Sequence, residues 1–218
     1  MGQLCACETV RAMTRNLAPA PIPTRENGTV PPRPVPHAVR RPREYLTPTE
    51  VERLISAARQ NRYGHRDATM IRVAYRHGLR VSELCALRWD QVDFEHGLLH
   101  VRRIKNGMPS VHPLGGGELR SLRKLQREAT PSRHVFTTER RAPMSLAGFR
   151  KMLARTGEVA AFPFPVHPHM LRHACGYKLA NDGQDTRALQ HYLGHKNIQH
   201  TVRYSELAAD RFKSFWED

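Results

Sequence analysis

The 218-residue chain is strongly basic, with a formal net charge of +15, most of it from arginine, and a pI of about 10.5. Its 39% hydrophobic residues suffice for one core or two small ones, and no apolar run approaches the roughly 20 residues of a membrane-spanning helix. A surface this basic indicates an anionic partner, most often nucleic acid.

Cysteine usage and the first residues bear on location. The four cysteines form no CxxC pair and no disulfide framework, which is typical of a reducing compartment. The first ten residues, MGQLCACETV, lack the apolar core of a signal peptide. We therefore expect a cytoplasmic protein.

Residues 1–44 have the composition of a disordered tail. They hold eight of the sixteen prolines and seven arginines, and no apolar periodicity runs through them. Because such a segment cannot bury a hydrophobic face, it is predicted to be a disordered or polyproline-like basic tail. Loose DNA contact and a passive extension are both open as its role.

Helical signals begin directly after this tail. In YLTPTEVERLISAARQ, Thr47 is a candidate N-cap, Pro48 stands at N1, and Glu50 completes a capping box. A second helix is predicted in RDATMIRVAYRHGL, with Gly78 as its C′ residue, and a third, shorter one in VSELCALRW. These helices open a single predicted domain over residues 45–218.

The hydrophobic period then changes from helical to alternating. VDFEHGLLHVRRIKNGMPSVHPL has turn signals at EHG and NG, and Asn-Gly between extended runs predicts a hairpin within about three antiparallel strands. Helical patterns resume in GELRSLRKLQREA, SLAGFRKMLARTG, HPHMLRHACGYKLANDG, DTRALQHYLGH and NIQHTVRYSELA, and the final DRFKSFWED is amphipathic. The predicted fold class is mainly α with a small antiparallel β-sheet.

The stretch HPHMLRH concentrates protonatable groups on the first turn of a predicted helix. Arg172 and His173 follow His169 by three and four residues, so all three share one face or adjacent faces. His169 and His173 have the spacing of helical zinc ligands, but Arg172 would repel a divalent cation and no acidic third ligand stands nearby. The metal interpretation is therefore weak, and His173 is expected to pack or bond locally.

Two further fragments carry cations suited to binding an anion. Arg80 follows the end of the second helix, and Glu83 can hold it by a charge-assisted hydrogen bond across one helical turn. Lys105 stands at the predicted hairpin tip, from which a long cationic side chain can reach a cleft. Arg102 and Arg103 are alternatives for that place, because the sequence pattern does not fix the register of the hairpin.

The end of the domain supplies a histidine and a tyrosine. His195, in LGH, precedes Tyr204 by nine residues. Tyr192 is a rival phenol, but it lies among apolar residues and is predicted to belong to the core.

The ordered series Arg, Lys, His-x-x-Arg, His, Tyr resembles that of the tyrosine recombinases, also called the phage integrase family. The matching residues are Arg80, Lys105, His169, Arg172, His195 and Tyr204, with Glu83 in support. The resemblance covers most of residues 45–218 and implies the tyrosine recombinase catalytic-domain fold. The sequence in and around AYRHGLRVSEL and HPHMLRHACGYKLANDG is similar to that of the fimbrial phase-variation recombinases. These are short members of the family that invert a promoter segment.

The resemblance implies a DNA-cutting site that needs no metal and no cofactor. Tyr204 would attack phosphorus and form a 3′-phosphotyrosyl intermediate. Arg80 and Arg172 would each donate paired N–H groups to the non-bridging oxygens, a geometry that lysine cannot match. The two matched histidines would add donors or move protons, and Lys105 would protonate the leaving 5′-oxygen.

The resemblance also implies partners. A site-specific recombinase acts on double-stranded DNA at specific recombination sites as a homo-oligomer, with four protomers at synapsis, here in the nucleoid of a bacterium. Most relatives carry a separate DNA-binding domain ahead of the catalytic one, and only 44 residues precede it here. We therefore expect a one-sided, weaker grip on DNA and help from cooperativity or from DNA-bending accessory proteins.

Three alternatives remain open at this stage. A type IB topoisomerase-like enzyme would use the same chemistry without synapsis and would relax supercoils. A DNA-binding regulator would use the fold without cutting, and its cellular effect would survive loss of the Tyr204 hydroxyl. A zinc enzyme would be sensitive to chelators.

Overall fold

The computed structural model describes residues 43–103, 107–128 and 131–206. Within these ranges the chain forms eight α-helices and one three-stranded sheet. In chain order the elements are α1 (Pro48–Ala58), α2 (Gly64–Arg76), α3 (Val81–Cys85), a 3-10 turn (Trp89–Gln91), β1 (Val92–Asp93), β2 (Leu98–Val101), β3 (Ser110–Pro113), α4 (Gly116–Glu128), α5 (Leu146–Val159), α6 (Pro168–Asn181), α7 (Thr186–Leu193) and α8 (Gln199–Glu206). The predicted fold class, mainly helical with a small antiparallel sheet, is confirmed.

Several predictions fall outside the described residues. The tail of residues 1–44 is described only at its last two positions, and neither Lys105 nor the final amphipathic stretch is among the described residues. The tail and the domain boundary therefore stay predictions. Arg43, assigned to the tail, pairs with Glu50 at 2.7 Å, and Glu44 pairs with Arg203.

Local capping signals set the boundaries of the first two helices. The Thr47 hydroxyl accepts from the backbone N–H of Glu50 at 3.3 Å, and the Glu50 carboxylate accepts from the Thr47 N–H at 2.8 Å. This reciprocal pair is the predicted capping box. Gly78 follows α2 with φ +55°, a left-handed conformation that glycine adopts at little cost. Both predicted boundaries are confirmed.

The sheet has the order β1-β2-β3, with antiparallel neighbours. Leu99 of β2 lies opposite Val92 on one side and His112 on the other. The hairpin is therefore present, but its connection spans residues 102–109, longer than a two-residue Asn-Gly turn. Pro109 lacks the N–H that a continued ladder would require, and Arg103 turns its side chain into the interior.

The core forms around α2, which contacts α1, α4 and α6 and buries Met70, Ile71 and Val73. A second hydrophobic cluster joins α6, α7 and α8 and includes Leu193 and Tyr204. The C-terminal end of α2 and the second cluster thus meet on one side of the domain. Among the described helices, none has the length and apolar character that a membrane span requires.

Candidate active site

Five of the six residues singled out in the sequence line one cavity of about 390 Å³: Arg80, His169, Arg172, His195 and Tyr204. The sixth, Lys105, lies outside the described residues, in the connection between β2 and β3. The cavity wall is completed by Arg43, Glu44, His167, His173, His200 and Arg203. This lining is rich in cations and imidazoles, as a site for an anion requires.

Arg80 is held at the start of α3 by Glu83. Its Nη1 donates to Glu83 Oε1 at 2.8 Å, and its backbone N–H donates to Oε2 at 2.9 Å. The Glu83 side chain is buried, whereas that of Arg80 is partly exposed toward the cavity. The pairing expected from the sequence is present, and it leaves further Arg80 N–H donors for a ligand.

Arg172 links three parts of the domain from its place on the first turns of α6. Its Nη1 donates to the carbonyl of Gly78, beyond the end of α2, and its Nη2 donates to the carbonyl of Leu193 at 2.6 Å. Burial lowers the pKa of Arg172 to about 10, and the nearby charges of Arg80 and Arg103 act in the same direction. The guanidinium is therefore still a cation at neutral pH.

His195 lies directly after Gly194, whose φ of +65° closes α7. Its Nδ1 is 2.9 Å from Thr201 Oγ1. Burial lowers the pKa of His195 to about 3, with Arg172 adding to the effect. The imidazole is therefore neutral at neutral pH, with one ring nitrogen able to donate a hydrogen bond and the other able to accept one.

The Tyr204 side chain is only 1% exposed, on the wall of the cavity. Its ring meets Tyr177 edge-on at a centroid distance of 5.0 Å, and a Cβ on Gly176 would lie 2.8 Å from it. Its hydroxyl is 2.9 Å from Nδ1 of His173. Burial raises the pKa of Tyr204 to about 12, with Arg172 acting in the opposite direction. The phenol is thus protonated and fixed in place.

From the sequence, His173 is expected to pack or to form a hydrogen bond with nearby residues. In the structure its Nδ1 lies against the Tyr204 hydroxyl, 31 residues away along the chain. Burial lowers the pKa of His173 to about 4, with Arg203 and His169 adding to the effect, so it is neutral at neutral pH. The only signal in the sequence was its position beside Arg172. The spacing of residues within α6 could not indicate which residue of α8 would lie opposite His173.

The rival residues have other roles. The Tyr192 hydroxyl donates to the carbonyl of Arg76 at 2.9 Å, and its ring stacks on His112 at 3.8 Å, away from the cavity lining. Tyr192 is partly buried and packs against the second hydrophobic cluster, at the edge of the core to which it was predicted to belong. Arg102 is exposed near Asp90, whereas the Arg103 side chain is 0% exposed and so cannot swing into the cavity.

No third zinc ligand accompanies His169 and His173 in the part of the chain that the structure describes. His169 and His173 have ring centroids 6.0 Å apart. Within the described ranges, no group of three His, Cys, Asp or Glu side chains is placed to hold a metal ion. The site is therefore built from nitrogen donors, one phenol and the Glu44 carboxylate, which pairs with Arg203.

The buried histidines predict a pH dependence of stability. Burial lowers the pKa values of His112, His173 and His195 from 6.5 to about 3, 4 and 3. Below pH 6.5 the unfolded chain binds protons that the folded chain excludes, so stability is full above that pH and is lost as the pH falls. At pH 5 each histidine should cost about 2 kcal/mol of unfolding free energy.

Urea titrations at pH 7.5, 6.5, 5.5 and 5.0, at constant ionic strength, measure this loss. A His112→Asn variant, although less stable overall, should show a smaller fall between pH 6.5 and 5.0 than the parent chain. Equal unfolding free energies at pH 7.5 and 5.0 would contradict the prediction. Between pH 6.5 and 5.0 histidines titrate much more than carboxylates do. The fall in unfolding free energy over this interval therefore reports mainly on the histidines.

Comparisons with known proteins agree with this geometry. The sequence profile described as the phage integrase family matches residues 44–211. The chain is 41% identical to FimE, the type 1 fimbriae regulatory protein of Escherichia coli strain K12, over 181 residues that cover 80% of this chain and 91% of FimE. The similarity to FimE thus extends over nearly the whole relative.

Solved structures of similar fold include XerA recombinase, with a TM-score of 0.70 and 25% identity over 80% of this chain and 65% of XerA. A lambda integrase dimer bound to a COC′ core site gives a TM-score of 0.62 at 23% identity, over 80% of this chain and 50% of that one. This chain therefore spans less than two thirds of either protein in those structures.

Proposed function

Because the chain belongs to the phage integrase family and is a tyrosine site-specific recombinase, we propose that Tyr204 cuts DNA by forming a 3′-phosphotyrosyl link. The product of strand exchange would be inversion of a promoter-bearing segment. The similarity to FimE, a regulatory protein of type 1 fimbriae, supports that regulatory outcome.

One observation carries the proposed chemistry: the cavity unites the two matched arginines, two matched histidines and one phenol. Arg80, Arg172 and Tyr204 all line it. A phosphodiester is an anion whose two non-bridging oxygens gain charge when phosphorus is attacked. Guanidinium groups match that pair of oxygens with paired donors, which favours a phosphate in this cavity.

The cleavage step exchanges one ester bond of a DNA phosphodiester, from the 5′-oxygen to the Tyr204 oxygen. The Tyr204 oxygen bonds to phosphorus, the bond from phosphorus to the 5′-oxygen breaks, and the 3′ end stays attached to the protein. In its Nε2-protonated tautomer, His173 has a free lone pair on Nδ1 to accept the phenol proton. Attack by a 5′-hydroxyl on the link reverses the step and returns that proton.

The remaining groups stabilise charge. Arg80 and Arg172 would bind the non-bridging oxygens, and His169 and His195 would add donors or move protons. Lys105, as the family resemblance implies, would protonate the leaving 5′-oxygen. Since the charge would be balanced by side chains, this mechanism requires no metal ion and no cofactor.

The partners follow from the same proposal. Double-stranded DNA at specific sites is the substrate, and synapsis brings four protomers together. The lambda integrase structure contains a dimer on a core site, which supports an oligomer on DNA. DNA-bending accessory proteins and a location in the bacterial cytoplasm, at the nucleoid, complete the proposal.

The first test is covalent capture. Purified protein is mixed with sheared DNA from its own source in EDTA and denatured, and the ends attached to the protein are sequenced. Discrete 3′ ends would support the proposed cleavage and locate the site. Non-covalent binding without any attached DNA would instead favour a non-cutting regulator.

The second test addresses inversion. Two captured sites should lie in opposite orientation around a promoter, and DNA from a growing culture should contain both orientations of the segment between them. Captured sites in the same orientation would favour excision. Plasmid relaxation without recombinant products would favour a topoisomerase-like activity.

Replacing His173 should slow cleavage. His173→Phe keeps a ring against Tyr204 but removes the proton acceptor 2.9 Å from its hydroxyl. We expect single-turnover cleavage at pH 7.5 to fall by about 100-fold and to rise steadily with pH, because solvent must then take the proton. His200→Phe is the matched control, since His200 lines the cavity at an exposed position. A His173→Phe rate within threefold of the control, with the parent pH profile, would contradict this role.

A further inference from the structure

We propose that Arg103 is a positioning residue of the phosphate site: it holds Glu83 and the end of α7 so that Arg80 keeps its positive charge available to DNA. The inference rests on the proposed function, because it assigns a role toward the same phosphate. Arg103 lies two residues beyond β2 and is not among the residues that line the cavity.

Arg103 bonds two separate elements. Its Nη1 donates to Glu83 Oε2 at 2.8 Å, and its Nη2 donates to the backbone carbonyl of Tyr192 near the end of α7. The next carbonyl along the chain, that of Leu193, accepts from Arg172. Two consecutive carbonyls are therefore each bound by an arginine, directly before the turn that leads to His195.

The packing around Arg103 requires glycine on two sides. A Cβ on Gly194 would lie 2.5 Å from Arg103 Nε, and a Cβ on Gly107 would lie 2.9 Å from Arg103 Cβ. Gly194 also has a φ of +65°, which side chains disfavour. The turn before His195 is thus built against the Arg103 side chain, and displacing one would displace the other.

The charges explain why an arginine is needed there. The Glu83 carboxylate lies between Arg80 and Arg103, with each guanidinium at 2.8 Å. Arg80 and Glu83 alone would cancel, whereas the three groups together keep one net positive charge. Because these groups are largely buried, water screens them little. With Arg172, two net positive charges would face a phosphate that gains negative charge in the transition state.

Stability alone does not account for Arg103. Its side chain is 0% exposed, and among the described residues its Nε has no hydrogen-bond partner. Burial lowers the pKa of Arg103, against the opposing effect of Glu83, which indicates a costly environment for the charge. An apolar side chain of similar size avoids such a desolvation cost. The retained charge is therefore better explained by its effect on Glu83 and Arg80.

The test compares single-turnover cleavage of a duplex carrying the captured site. We expect Arg103→Met to be about 100-fold slower than the parent chain and Arg103→Lys, which keeps the charge, about tenfold slower. Arg102→Met, at the exposed neighbouring arginine, is the matched control and should stay within threefold. The double variant Glu83→Gln with Arg103→Met should recover at least tenfold over Arg103→Met, because the anion that Arg103 offsets is then absent.

The outcomes separate the possible failures. An Arg103→Met rate within threefold of the parent would overturn the inference. So would a slow Arg103→Met that neither lysine nor Glu83→Gln rescues, since a merely structural role of Arg103 predicts that result. Urea titration of each variant identifies unfolding. If the parent chain itself forms no covalent DNA complex, the proposed function fails, and the inference that rests on it fails with it.

Discussion

Tyr204→Phe should abolish covalent attachment to DNA, with a loss of at least about 10⁴-fold in single-turnover cleavage. Phenylalanine keeps the ring contacts with Tyr177 and Gly176 and removes only the oxygen that would attack phosphorus. The lost hydrogen bond to His173 should lower the unfolding free energy by about 1 kcal/mol. DNA affinity in a gel-shift titration should change by less than about threefold, because a phenylalanine adds and removes no charge.

Tyr192→Phe is the matched control for this substitution. It also removes one hydroxyl, which donates to the carbonyl of Arg76 and lies 3.5 Å from Nδ1 of His77, and it lies outside the cavity lining. Its cleavage rate should stay near that of the parent chain. Persistent covalent complex in Tyr204→Phe, or its loss in Tyr192→Phe alone, would assign the nucleophile to another residue.

Arg172→Met should separate catalysis from stability. The carbonyls of Gly78 and Leu193 lose their donor, while the fold no longer has to bury a charge, so the unfolding free energy should fall by only about 2 kcal/mol. The cleavage rate should fall by about 10³-fold, because a charged double donor to the phosphate is removed. The rate effect therefore corresponds to a larger free energy than the stability effect.

Arg172→Lys distinguishes charge from geometry at this position. Lysine keeps the charge but cannot satisfy both carbonyls and also present paired N–H groups to a phosphate. We expect cleavage to fall by about 100-fold, which places this variant between the parent chain and Arg172→Met. Single-turnover kinetics and urea titration on the same preparations provide both quantities. Equal rates for Arg172→Lys and the parent chain would mean that only charge matters here.

Signals contained within a few consecutive residues were readable from the sequence. The capping box of Thr47 and Glu50, the helix-ending Gly78, and the pairing of Arg80 with Glu83 each depend on spacings of four residues or fewer. Such interactions form within one helical turn, so spacing alone specifies them. The grouping of five residues in one cavity was predicted from the family resemblance, whereas their catalytic roles remain proposals.

Contacts between distant parts of the chain were not readable in this way. His173 and Tyr204 are 31 residues apart, and Glu83 and Arg103 are 20 apart. Local spacing does not show what lies opposite each residue, because the packing of α6 against α8 and the approach of the segment after β2 to α3 decide it. The connection from β2 to β3 was also longer than Asn-Gly alone suggested, since that signal says nothing about Pro109.

The burial of Tyr204 limits which parts of the chromosome its hydroxyl could attack. Under the proposed function, a DNA-cutting nucleophile is present whenever the protein is. With a side chain only 1% exposed and its hydroxyl against His173, the free protein keeps that nucleophile away from any duplex that merely touches its surface. Only a duplex that binds tightly enough to place a phosphodiester inside the cavity would reach it. Discrimination against the rest of the genome would thus operate before any strand is broken.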